Sequence, residues 1–221
     1  MADRQLLTYL ESFLTEKRVA LLSDIAAKRT RHFTVVTEDV YQLHNTSAVM
    51  RTCDIFGIQD LHVVEEIVGK RIDKEIAMGA QKWVDLYRHS DINQCISQLK
   101  NQGYRIVATT PHKDSQTLDE FDVTKKAAFF FGKESDGLSD TVFKNADELI
   151  QVPMYGFTES LNISVSAAII LQNTVSRLKK TDAVWQLSDE EQIETKIQWM
   201  LKSIKRVKTI LERYEKEKNS N

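Results

Sequence analysis

The run from Ala127 to Phe131, AAFFF, holds five apolar residues in succession and stops at Gly132. Successive side chains of a strand point to opposite faces, so a strand wetted on one side alternates apolar with polar residues. A short run without alternation has both faces covered, as in a parallel sheet between helices. Four further runs, FTVVTEDV, DLHVVE, RIVATT and LIQVPM, are rich in β-branched or aromatic residues and bounded by turn formers. Helical patterns alternate with them. The prediction is an α/β chain with a mainly parallel sheet and helices on both faces.

Leu6, Leu7, Leu10, Phe13 and Leu14, then Val19, Leu22, Ile25 and Ala26, stand at helical spacing and predict helix across residues 2–29. NTSAVMRTCDIFG predicts a helix closed by Gly57, and the apolar stretch from Ile163 to Lys180 another. Ser188 with Glu191 three residues on is a capping-box signal for one last helix. Its stripe runs through Ile193, Ile197, Met200, Leu201, Ile204, Val207 and Leu211 to Tyr214. A stripe of that length needs a covering surface, from its own chain or from a second copy. The expected organisation is a basic helical extension over 1–32, the α/β domain over 33–180 and a helical extension over 181–221, ending in a frayed EKEKNSN tail.

The net charge of −2 hides an uneven distribution: residues 1–32 carry +2, residues 173–221 carry +3, and the middle carries −7. Basic ends on an acidic body point to a polyanion gripped by the extensions, with KRTR at 28–31 the densest cluster. No run approaches the roughly 18–20 apolar residues that cross a bilayer, and the charged start lacks a signal-peptide pattern, so a soluble cytoplasmic protein is expected. Cys53 and Cys95 have no metal-ligand spacing and fall in apolar helical patterns, which predicts buried thiols. The five histidines show no zinc signature either, and no metal is expected.

The chain carries no G-x-G-x-x-G after its first strand and no Walker A sequence, which leaves the common nucleotide-binding readings without support. Three stretches hold chemistry instead. HNTSAVMRT sets Asn45 and Arg51 six residues apart on a helix. FFFGKESDGLSD brackets Glu134 between Gly132 and Gly137 at the end of the central strand. VPMYGFTESLNISVSAAIIL leads from Pro153, suited to a strand end, through Ser160, Leu161 and Asn162 into a helix; Ser and Asn are preferred N-caps. Ligands of open α/β sheets sit at the carboxyl ends of strands, where the last two stretches lie.

In order and chemistry these stretches resemble the three signature motifs of the SpoU class of RNA ribose 2′-O-methyltransferases, in the SPOUT superfamily. The run RTRHFTVVTEDVYQLHNTSAVMRTCDIFGIQDLHVV resembles its TrmH-type branch, which methylates guanosine-18 of tRNA. The resemblance covers about residues 15–180, and His44 before Asn45 and RTCD after it favour that branch over ribosomal-RNA relatives. It implies a homodimer, a deep trefoil knot in the C-terminal half and S-adenosylmethionine as methyl donor. Thr109, Gly132, Val152 and Leu161 match cofactor contacts. Arg51, Asn45, Glu134, Ser160 and Asn162 match catalytic positions, with Asn45 orienting Arg51.

Arg18, Arg29 and Arg31, with Arg177, Lys179 and Lys180, are the candidate tRNA phosphate contacts. The second group reads QNTVSRLKK where the tRNA branch has a denser arginine run. DNA is not an expected partner. Methyl transfer needs the ribose oxygen in line with the S–CH₃ bond and stripped of its proton. A guanidinium has a pKa above about 12, so Arg51 fits a phosphate clamp and alkoxide stabiliser better than a literal base. Ribosomal RNA or another tRNA position as substrate, and a catalytically silent RNA binder, stay open as alternatives.

Overall fold

A computed structural model describes residues 2–40, 42–65, 77–111, 115–133 and 135–218, and of Leu43 the backbone alone. Two compact units emerge: Thr30–Trp185, and a second formed by Met1–Arg29 with Gln186–Asn221.

Among the described residues the larger unit has seven strands: β1 (Phe33–Glu38), β2 (Asp60–Val64), β3 (Asp85–His89), β4 (Arg105–Thr109), β5 (Gln116–Thr117), β6 (Ala127–Phe131) and β7 (Glu148–Gln151). Their order is β3-β2-β1-β6-β4-β7-β5, and every pairing is parallel. The AAFFF run is β6, near the middle of the sheet and buried at all positions. Its residues divide by parity. Ala127, Phe129 and Phe131 join one core with Phe33, Val35, Leu61, Val63 and Val107, whereas Ala128 and Phe130 join the other with Val36, Val64, Ile106 and Ala108.

The first of these faces is covered by α3 (Leu43–Phe56) and α6 (Ile163–Leu178), which also pack on each other. The opposite face is covered by α4 (Ile92–Asn101) and the short α5 (Asp140–Asn145). Gly57 ends α3 at φ 79°, the left-handed cap for which glycine has no steric penalty. Cys53 and Cys95 are buried thiols, on α3 and α4. Strands β3 and β5 were not expected: β3 (DLYRH) is polar and partly exposed at an edge, and β5 has two residues.

In the smaller unit, helix over 2–29 is replaced by α1 (Arg4–Glu11) and α2 (Glu16–Ala26). Thr15 separates them because its hydroxyl accepts from the Arg18 N–H and starts a new helix. The last helix is likewise two, α7 (Asp189–Ser203) and α8 (Val207–Lys218). The capping box at Ser188 and Glu191 opens α7. Its chain leaves helical geometry at Ile204 (ψ 130°), and Arg206 takes a left-handed φ of 57°. The break frees Tyr214 to meet the Tyr9 ring at 5.0 Å and donate to Asp3. The covering surface for the α7 stripe is the chain's own α1 and α2. Among the described residues, no helix is long and apolar enough to cross a membrane.

Candidate functional site

A cleft of about 480 Å³ opens at the carboxyl ends of β4, β6 and β7. Thr109, Gly132, Val152, Ser160 and Leu161 all line it, so residues up to 52 positions apart in sequence share one wall. Phe131, Leu138, Ile150 and Ile163 give it apolar surface, and Asp136 and Glu159 bring carboxylates to its edge. Its volume lies within the roughly 300–1,000 Å³ of ordinary small-molecule sites.

Two close backbone approaches shape the wall. After β6 the chain folds back so that Lys133 and Gly137 exchange both N–H···O bonds, each 3.0 Å. Gly137 turns at φ 71°, and a Cβ on Gly132 would lie 2.1 Å from the Gly137 carbonyl. Only glycine fits at 132, and the lining there is peptide rather than side chain. The far end of the loop is anchored by Glu38, whose carboxylate accepts from the Ser139 N–H (2.8 Å) and hydroxyl (2.6 Å). Sequence reasoning missed Glu38; the cap signal at Ser139, which opens α5, was the available clue. Thr109 donates its hydroxyl to the Phe130 carbonyl at 2.8 Å, so toward a ligand that oxygen can act as an acceptor but not as a donor.

Asn162 performs two tasks with one amide. Its oxygen accepts from the Ser164 N–H at 2.8 Å, capping α6, while its nitrogen donates to the Asn45 side-chain oxygen at 3.1 Å. Ser160 stands outside this cap, exposed in the cleft. The first and third motifs, 117 residues apart, thus meet side chain to side chain. Asn45 is 2% exposed and also donates to Gln42. Arg51 is exposed on the same helix, six residues on, hence about 9 Å further along and about 120° around. Asn45 therefore positions α3 against the α6 entrance, with Arg51 presented to solvent from a fixed helix. Glu134 lies outside the described residues.

The basic candidates divide by exposure. Lys179 and Lys180 are exposed, Lys179 over the Trp185 ring at 5.4 Å, and Arg18 is half-exposed on α2. Arg29 is 2% exposed with its guanidinium 5.3 Å over Trp199. Arg31 makes ion pairs with Asp60 (3.0 Å) and Asp85 (3.1 Å). Arg177 donates to the carbonyls of Leu118 and Phe121. These three arginines, expected at phosphates, are engaged in holding the chain's own elements together.

The model of the SpoU rRNA Methylase family matches residues 32–172. The tRNA (guanosine(18)-2′-O)-methyltransferase of Borreliella burgdorferi is 34% identical over 196 residues, 89% of this chain and 90% of the relative. The Thermus thermophilus enzyme of the same name is 38% identical over 157 residues, 71% of this chain and 81% of its own. Among solved structures, the TrmH/SpoU tRNA-modifying enzyme of Aquifex aeolicus superposes with a TM-score of 0.78 at 34% identity, covering 86% of this chain and 98% of that one. With the three motifs gathered at one end of a parallel sheet and a family match across most of that sheet, this chain belongs to the SpoU methylase family.

Proposed function

We propose that this protein methylates the ribose 2′-hydroxyl of guanosine-18 in tRNA, with S-adenosylmethionine as donor. The observation that carries the reading is the Asn45–Asn162 hydrogen bond, which joins the arginine-bearing helix to the rim of the cleft. The like-named relatives, one of them matched along 89% of the chain, favour tRNA over ribosomal RNA.

The cleft residues suit the cofactor. The backbone at Thr109, Gly132 and Val152 supplies N–H and C=O groups for a purine edge, with Leu138, Ile150 and Leu161 as apolar surface. The carboxylates of Asp136 and Glu159 complement a ligand bearing ammonium and sulfonium charge. When bound, the cofactor supplies an electrophilic methyl group. Arg51 clamps a substrate phosphate and stabilises negative charge developing on the 2′-oxygen, and the proton passes to that phosphate or to water. Asn45 and Asn162 hold α3 in place so that little reorganisation accompanies the reaction. Glu134 and Ser160 belong to the same proposal as groups shaping the loop and pocket.

tRNA is gripped by Arg18, Lys179 and Lys180 through phosphates. A second copy of the chain covers the exposed apolar surface of Val165 and Ile169, one turn apart on α6, with Tyr155 and Phe157, both fully exposed. The trefoil knot, a division into extensions and catalytic domain, and a cytoplasmic location accompany the family reading.

The test is incubation with labelled S-adenosylmethionine and an unmodified tRNA transcript, followed by nuclease digestion. The expected result is label in 2′-O-methylguanosine, lost when G18 is replaced. Label persisting in that transcript moves the target to another tRNA position. No label on tRNA, but label on ribosomal RNA, changes the substrate, and cofactor binding without any transfer makes the protein a silent RNA binder.

A further inference from the structure

His62 on β2 and His89 on β3 share one face of the sheet. His62 pairs across the ladder with Tyr87, and His89 lies two residues beyond, on the same side of the pleat. The His62 Nδ1 and His89 Nε2 atoms are 2.9 Å apart with the rings stacked at 5.2 Å, and Tyr87 stacks on the other side of His62 at 4.8 Å. From α4, Cys95 reaches the same spot, and the three donor atoms lie within 4.8 Å of one another. None of the three lines the cleft described above.

We propose that His62, His89 and Cys95 form a binding site for a thiophilic d10 cation, Zn(II) or Cu(I). Bonds of about 2.0–2.1 Å to imidazole nitrogen and 2.3 Å to sulfur put two of these ligands on a tetrahedral ion about 3.3–3.6 Å apart. The two nitrogens, 2.9 Å apart, are closer than that, and the three donor atoms span up to 4.8 Å, so closing the shell requires the side chains to adjust. Two imidazoles and a thiolate are a donor set that borderline and soft ions select over Mg(II) or Ca(II). His89 is half-buried at an edge strand, which leaves a route in for the ion and a place for an exogenous fourth ligand.

His62 and His89 bind as neutral imidazoles, as metal ligands must. On binding, the facing nitrogens direct their lone pairs at the ion in place of the hydrogen bond between them, their ring protons residing on the outer nitrogens. The Cys95 S–H bond breaks, its proton goes to solvent, and a sulfur–metal bond forms with no change of oxidation state. Burial and the nearby Glu38 carboxylate hold the metal-free thiol neutral, with its pKa pushed up to about 12; a cation relieves both effects.

The test uses the full chain after chelator treatment, titrated separately with Co(II), with Zn(II), and with Cu(I) against a chromogenic chelator. One equivalent of Co(II) giving a near-ultraviolet thiolate charge-transfer band that Zn(II) abolishes supports the site as a zinc site. Retention of one equivalent of Cu(I) alone supports it as a copper site. Cys95→Ser removes the band, His89→Gln weakens the ion by more than about 100-fold, beyond the usual loss of an outer partner, and Cys53→Ala leaves binding intact. His89→Gln, at a partly exposed edge, keeps the test valid if Cys95→Ser does not fold. Absence of both Co(II) and Cu(I) binding in folded protein overturns the proposal, as does affinity unchanged in Cys95→Ser and His89→Gln.

Discussion

The two faces of the sheet are made from the same strands and do different work. The face under α3 and α6 is apolar from β2 across to β4, with Phe33, Val35, Leu61, Val63, Val107 and Phe129 in one cluster. It backs the two helices that carry Arg51, Asn45 and the Asn162 cap. The face under α4 is apolar near β6, but toward β3 it turns to His62, Tyr87, His89 and Cys95, and Glu38 lies beside Val64. A close-packed apolar layer fixes helices with few alternative arrangements, which suits the catalytic role proposed for Arg51. A layer with buried polar groups needs partners for each of them and can be tuned by what binds there.

The strongest way to break this division is a matched pair of cavities in β6. Phe129→Ala and Phe130→Ala each remove a fully buried ring on opposite faces, and each is expected to cost about 3–5 kcal/mol of stability by denaturant unfolding. Phe129→Ala should lower the methylation rate more than Phe130→Ala at temperatures where both variants are folded. Equal rates in the pair would show that the apolar layer does not support the site. Next, Arg51→Ala should reduce kcat by roughly 10²–10³-fold, the cost of losing one charge-stabilising donor, with cofactor affinity within a few-fold by calorimetry. Parallel loss of both would move Arg51 from catalysis to cofactor binding.

A smaller effect probes the seam between the two helices. A double-mutant cycle of Asn45→Ala and Asn162→Ala should return a coupling of about 1 kcal/mol in kcat/KM, the worth of one hydrogen bond. Strict additivity would make the contact incidental. Smallest, removal of Arg18, Lys179 or Lys180 should each reduce the slope of log tRNA affinity against log salt by about 0.7–0.9. Arg29→Ala should lower Tm and leave that slope alone; the reverse pattern would return Arg29 to the phosphate interface.

Much of the fold was legible because its signals are local. AAFFF required a doubly covered strand, Gly57 a left-handed cap, and Ser188 with Glu191 a helix start, and each stands where its pattern put it. The terminal helices were read too long because apolar periodicity continues through Thr15 and Ile204, whereas capping and a left-handed residue at Arg206 end them. The cofactor candidates were legible as motifs, and their gathering in one cleft follows from the order of the parallel strands.

Residue type alone could not assign the arginines. Arg29, Arg31 and Arg177 read the same as Arg18 in sequence, yet a stacked indole, two carboxylates and two peptide carbonyls claim them. The histidine and cysteine cluster was equally hidden, because His62 and His89 are 27 residues apart and only the β2–β3 register brings them together. The sequence by itself determined the parallel sheet, its covering helices and the family, since alternation, caps and motifs act over a few residues. Which charged and ligating groups are free to work was decided by tertiary structure, because burial and long-range partners exist only once distant strands are side by side.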